Sequence, residues 1–212
     1  MKLPFSWAYA ETGFLVELNM RPFEELLEES VAAHGHKCAG QVLGVRMAMR
    51  GLREVSLDPD KEADRRRLIV YVEIDRCAAD AVASVTGCRL GRRTLKYVDY
   101  GKVAATFVDV ATGRAVRVLA RDETRALVNA DLPKHEAQLR AYQVMPDDDL
   151  FVVMPVQVDI PDEDLPGRPI RRAVCAECGE GVNDGREVKL DGRTVCRACA
   201  GDSYYRRVQK AE

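Results

Sequence analysis

From Phe23 the apolar positions recur at helical spacing: Leu26, Leu27 and Val31 fall on one face, with Glu24, Glu25, Glu28 and Glu29 around them. Pro22 at the first turn and four acids toward the N-terminal end both favour a helix start, so the first helix delivers His34 at or just past its end. A second helical pattern covers residues 39–53, with Val42, Leu43, Val45, Met47, Ala48 and Leu52 apolar. Gly40 and Gly44 lie four apart on it and make a flat stripe, suited to tight helix packing or to a closely approaching ligand. Residues 57–66 are charged and include Pro59, which predicts an exposed connection. The continuous apolar run 68–74 is rich in β-branched residues and predicts a central strand. A helix over 78–86 follows, with Gly87 placed to end it in the left-handed conformation. Cys77 then falls at a helix start, where unpaired amides and the dipole favour a thiolate.

Residues 97–120 read as antiparallel sheet, with runs 103–110 and 115–119 flanking a turn at Ala111-Thr112-Gly113-Arg114. Helical patterns over 123–130 and 134–144 come next, and Met145-Pro146-Asp147-Asp148-Asp149 breaks the second. Residues 150–158 form one more strand, which Pro155 sends to an edge or an end. Helices and strands in mixed order with a hairpin predict an α+β fold, a mixed or antiparallel sheet packed with helices. Three prolines and four acids over 159–169 mark a linker. The expected organisation is an α+β domain over 1–158, a linker over 159–171, and a small module with its tail over 172–212.

Composition narrows the class. With 47% hydrophobic and 31% charged residues the chain is globular, and a net charge of −2 gives no global basic field for nucleic acid. Local basic patches stand at 168–172 and 206–210. No uncharged apolar run approaches the ~18 residues that span a bilayer. A cytoplasmic protein is expected, because four of its seven cysteines form two Cys-x-x-Cys pairs that suit metal binding better than disulfides.

Those pairs are the strongest chemical signal. Cys175 and Cys178 are followed, after seventeen intervening residues, by Cys196 and Cys199. Two such turns offer four thiolates to one tetrahedral zinc, and Asp191-Gly192 between two short β-prone runs predicts a hairpin with a type I′ turn. This is the spacing of a zinc ribbon. Its site is closed and therefore structural, and metal binding supplies much of the folding free energy of so short a module.

The second constellation is His34, His36, Cys38 and Cys77, with Cys88 and Asp80 as further neighbours. Imidazole and thiolate are ligands for borderline-soft metals and also make activated nucleophiles. A turn at Gly35 lets the first three converge, and three ligands plus water make an open site for a second metal ion. The alternative is that these groups are packing or capping residues, since free cysteine is often buried. Lys102 is either a surface lysine or an anion-binding group beside the site, and His135 reads as an isolated residue on an amphipathic helix.

The segments His34-Gly35-His36-Lys37-Cys38-Ala39-Gly40 with Gly44, Cys77-Ala78-Ala79-Asp80-Ala81, Thr86-Gly87-Cys88-Arg89-Leu90-Gly91 and Asp99-Tyr100-Gly101-Lys102-Val103-Ala104-Ala105 resemble the FmdE family, named for one of the subunits of formylmethanofuran dehydrogenase. The resemblance spans residues 23–158, and members often carry a C-terminal zinc ribbon. It implies an α+β domain that forms a homodimer, shared polar residues at His36, Cys38 and Cys77, and an association with a molybdenum or tungsten enzyme of one-carbon metabolism. It does not assign an activity to the FmdE component itself, and no cysteine cluster here has ferredoxin spacing. Three readings follow: a metal-binding accessory protein, a metal- or thiol-dependent enzyme, and a zinc-ribbon regulator that contacts nucleic acid or a protein partner.

Overall fold

The computed structural model describes residues 20–125, 131–206 and 208. Two compact units are distinguished, one comprising the residues up to Arg89 together with Leu95–Val158, the other Leu90–Thr94 together with the residues from Asp159 onward.

In the first unit, α1 (Phe23–His34) starts directly after Pro22 and stops at Gly35. The backbone there turns to φ 96°, and the Gly35 amide donates to the Val31 carbonyl at 2.8 Å. The chain then enters α2 (Ala39–Val55), the short α3 (Glu62–Arg65) and strand β1 (Leu68–Val72). Helix α4 (Cys77–Thr86) ends at Gly87 with φ 66°, as its sequence predicts. Strands β2 (Leu95–Tyr97), β3 (Ala104–Asp109) and β4 (Ala115–Ala120) follow, then α5 (Lys134–Val144), α6 (Asp147–Leu150) and β5 (Phe151–Val156). One sheet in the order β2-β1-β3-β4-β5 results, which makes the fold α+β.

Helix α2 organises the packing because glycine leaves its surface flat at three places. A Cβ on Gly44 would lie 2.5 Å from the Ala78 carbonyl and 2.6 Å from the Ala81 Cβ, so α2 and α4 touch almost backbone to backbone. A Cβ on Gly51 would fall 2.2 Å from the Phe107 ring, which is how α2 settles onto β3. Val42, Val45, Met47, Ala48 and Leu52 of α2 join Ala105, Phe107, Val116 and Val118 of the sheet in a single core. Burial of each large side chain there contributes roughly 1.5–3 kcal/mol. The Gly40/Gly44 stripe thus serves tight helix packing.

Several expectations are corrected. Region 97–120 is not wholly antiparallel: β2 pairs parallel with β1, while every other pairing of this sheet is antiparallel. The connection over 57–66 is not simply exposed, since Leu57 and Asp58 are buried and α3 interrupts it. The break after α5 falls where expected, at Met145-Pro146, but Asp147-Asp148-Asp149 then starts the short α6, where acids suit a helix start. The pattern over 123–130 yields a 3-10 turn at Asp122–Arg125, and its remainder lies outside the described residues. Pro155 stands on the edge strand β5 opposite Val116, where its missing N–H costs no ladder bond.

In the second unit, β6 (Arg172–Val174) pairs antiparallel with β7 (Gly181–Asn183), and β8 (Val188–Leu190) with β9 (Arg193–Val195). Asp191 and Gly192 adopt φ 50° and φ 78° between Leu190 and Arg193, the two positive angles of the type I′ hairpin that the Asp-Gly pair predicts. Residues 159–171, expected as a linker, fall in this unit: Asp164 pairs with Arg186, and the Ile170 amide donates to Asp184 at 3.2 Å.

Candidate metal centres

The ribbon is assembled from two similar turns. Gly179 N–H donates to the Cys175 carbonyl and Ala200 N–H to the Cys196 carbonyl, each at 3.0 Å, so both Cys-x-x-Cys segments curl back over their sulfurs. The sulfurs of Cys175, Cys178, Cys196 and Cys199 all lie within 4.8 Å of one another, and those of Cys178 and Cys196 are 3.9 Å apart. At a zinc–sulfur bond of about 2.3 Å, tetrahedral partners stand about 3.8 Å apart, so this set suits one zinc ion. The amides of Cys178 and Cys196 aim at Cys175 and push its thiol down to about 6. Cys199 is pushed up to about 12, first by its neighbour Cys196 and then by burial. Four sulfurs this close cannot all ionise unless a cation balances them, and a divalent metal meets that need.

The second centre forms where two helices begin. Cys38 is the residue that caps α2 in extended conformation, Cys77 is the first residue of α4, and His34 closes α1. Donor atoms of His34, Cys38 and Cys77 lie within 4.8 Å of one another. Glycine again permits the approach: a Cβ on Gly40 would lie 2.9 Å from the Cys77 Cβ and 3.7 Å from the Cys38 Sγ. Asp80 Oδ2 stands 2.9 Å from His34 Nδ1, one turn into α4. The other ring nitrogen, Nε2, is buried without a hydrogen-bond partner among the described residues, which is costly for a polar atom and suits a metal ligand. One imidazole and two thiols form a zinc-type donor set with the fourth position open.

Other candidates lie outside this trio. The His36 ring rests on His34 with centroids 4.6 Å apart and is exposed, so it is not among the three converging donors. Cys88 is buried with its sulfur 3.9 Å from the Leu68 carbonyl. The Lys102 ammonium sits 5.8 Å from the centre of the Tyr100 ring on an exposed stretch, and His135 is exposed in the first turn of α5. The expectation of a helix-start thiolate at Cys77 is corrected as well. Burial first and the adjacent Cys38 second push the Cys77 thiol up, outweighing the helix amides.

Sequence reasoning missed Gln41 and Ser30. Gln41 is buried, accepts from the Ser30 hydroxyl of α1 and donates to the Cys77 carbonyl at 2.7 Å, tying α1, α2 and α4 together under the centre. A glutamine inside the apolar face of α2 was the available signal. Beside the centre lies a cleft of about 460 Å³ lined by His34, Asp80, Ser84 and Arg89 among others, within the size range of small-molecule sites.

In the second unit Arg93, Arg171, Arg186, Arg193 and Arg197 each pair with a carboxylate, so their charge is balanced locally. No described helix is long and apolar enough to cross a membrane.

A fold that gathers a His/Cys trio at the ends of three helices, joined to a four-cysteine ribbon, defines a two-module protein of the metal-binding class. The chain belongs to the FmdE family, described as FmdE, molybdenum formylmethanofuran dehydrogenase operon, which it matches over residues 33–152. Residues 169–205 match the prokaryotic DksA/TraR C4-type zinc finger. A probable S-adenosyl-L-methionine-binding protein of Archaeoglobus fulgidus is 29% identical over 218 residues, and the match takes in 92% of this chain but only 58% of that protein. In the crystal structure of a tungsten formylmethanofuran dehydrogenase FmdE-like protein from Syntrophus aciditrophicus, the same fold recurs with a TM-score of 0.58 and 21% identity, over 89% of this chain and 100% of that one.

Proposed function

We propose that this chain is a metal-binding accessory protein in which His34, Cys38 and Cys77 hold a metal ion and the four-cysteine ribbon holds a structural zinc. The observation that carries this reading is the buried, unpartnered Nε2 of His34 next to two thiols, with Asp80 on the opposite ring nitrogen. That is the donor set and outer-shell support of a Cys₂His centre with one position left for water or a small ligand. A metal so held would act as a Lewis acid toward whatever fills that position. The chain's own residues do the rest: Asp80 orients the imidazole, Gln41 fixes the start of α4, and Gly40 keeps room for the two sulfurs. In this reading the protein acts as a cytoplasmic homodimer alongside a molybdenum or tungsten enzyme, and the family's description by a molybdenum formylmethanofuran dehydrogenase operon supports the last of these.

The small ligand is the second part of the proposal. The cleft beside His34 and Asp80, with the similarity to a probable S-adenosyl-L-methionine-binding protein, favours that sulfonium compound as the first one to test. The experiment is metal quantification on the full chain and on His34→Ala, followed by calorimetric titration with S-adenosylmethionine. Two equivalents of metal in the parent and one in the variant support the metal centre. One equivalent in both removes it, and no heat with the sulfonium compound removes that ligand alone.

A further inference from the structure

The two sulfurs of the helical centre come from separate stretches of chain, Cys38 and Cys77, and both are free thiols. Their closeness is imposed by backbone rather than by adjustable side chains. Gly44 brings α2 and α4 into direct contact, and at Gly40 even one added carbon would stand 2.9 Å from the Cys77 Cβ. The helices cannot slide apart without opening the core they share. The sulfurs are therefore held within 4.8 Å of each other, and a disulfide requires them to close to about 2 Å. Cys77 is partly exposed while Cys38 is buried, so an oxidant from solvent reaches Cys77 first, and the surroundings that keep this thiol protonated make its attack slow without blocking it. The ribbon differs: there four thiols meet, two from each of two turns.

We propose that Cys38 and Cys77 form a reversible disulfide that competes with metal at this centre, making its occupancy dependent on oxidant. The oxidant class is a hydroperoxide. The Cys77 sulfur attacks the distal oxygen, the O–O bond breaks, and Cys77 becomes a sulfenic acid as the hydroperoxide leaves as an alcohol, or as water from hydrogen peroxide. Cys38 then attacks the Cys77 sulfur, the S–O bond breaks, and the hydroxyl leaves as water with the Cys38 thiol proton. The two sulfurs have given up two electrons and the peroxide has taken them. Oxidation removes two of the three donors at once, leaving His34 alone, and a dithiol reductant restores the set. This consequence rests on the metal centre proposed above, whereas the disulfide itself does not.

The test treats the full chain, stripped of metal at the helical centre by a mild chelator, with hydrogen peroxide and then blocks free thiols with an alkylating agent. Trypsin is expected to release peptides 38–46 and 77–89 as one linked species, lighter by two hydrogens than the sum of the first and of the second alkylated at Cys88 alone. Because Cys88 lies in the second peptide, fragmentation of the linked species and a parallel digest of Cys88→Ala assign the bond. Zinc added back is expected to fill the helical centre of the reduced protein and not of the oxidised one, with full recovery after dithiothreitol. Peroxide-treated protein in which Cys38 and Cys77 are separately alkylated, or carry unlinked sulfinic acids, overturns the proposal. A disulfide that forms in a protein whose reduced form binds no metal at His34 supports the covalent pair and overturns the metal centre, so the two failures are distinguishable.

Discussion

The Asp80 carboxylate stands 2.9 Å from Nδ1 of His34 although the two residues are 46 positions apart and on different helices. Nδ1 is therefore engaged, and Nε2 is the nitrogen left for a ligand. Asp80 is largely exposed and carries none of the core, and in the proposed metal centre it would orient the ring. Asp80→Ala is expected to weaken metal binding at this centre by about 10–100-fold while the thermal midpoint stays nearly unchanged. Competition with a chromophoric chelator reads the affinity, and an unaltered constant would reject the orienting role.

Tight contact between α2 and α4 has a direct mechanical test. Gly44→Ala places a methyl 2.5 Å from a backbone carbonyl that cannot move without shifting α4. Destabilisation of roughly 1–3 kcal/mol is expected, measured as a lower urea midpoint. Gly113→Ala is not a suitable control, since that turn requires φ 76°, but Gly167, with nothing near its Cβ position, is.

Acid sensitivity is expected from Asp109. Its buried carboxylate would be raised by burial, yet the Arg67 guanidinium, the Thr112 hydroxyl and the Ala111 amide hold it below the usual carboxylate range. A carboxylate with a lowered folded pKa contributes stability above the unfolded value, about 3.9, and that contribution is lost as pH falls through the folded value. Arg67→Ala is expected to lower the urea midpoint clearly at neutral pH, because it strands a buried charge. The difference between parent and variant should shrink below about pH 4. Urea denaturation at neutral and at acid pH checks both statements.

In the ribbon, Cys178→Ser is expected to lower zinc content by one equivalent and to loosen β6 to β9 without unfolding the α+β unit. Hydrogen exchange resolved by peptide would show faster exchange confined to residues 172–199. Unchanged zinc in this variant would reject the assignment, since the Cys178 and Cys196 sulfurs are 3.9 Å apart and share one metal in it.

Much of this was legible because the signals are local. The Cys-x-x-Cys spacing, the Asp191-Gly192 turn and the stop at Gly87 each follow from a few consecutive residues, and φ at Asp191, Gly192 and Gly87 is positive as required. Less local features were read wrongly. Leu95–Tyr97 is only three residues long, and nothing in it distinguishes a parallel partner from an antiparallel one. Leu57 looks like part of a charged loop, yet it is buried against a core whose members come from distant segments.

The helical centre divides along the same line. Sequence by itself determined which side chains are capable of binding a metal, how the ribbon spaces its four sulfurs, and where α1 and α4 stop, because propensity, capping and ligand type are properties of neighbouring residues. Only the tertiary structure decided that His34 and not His36 joins Cys38 and Cys77, that Asp80 takes the far side of the ring, and that Gln41 lies beneath them. Those relations depend on how closely α2 approaches α4, and that distance is set by glycines meeting a backbone more than thirty residues away.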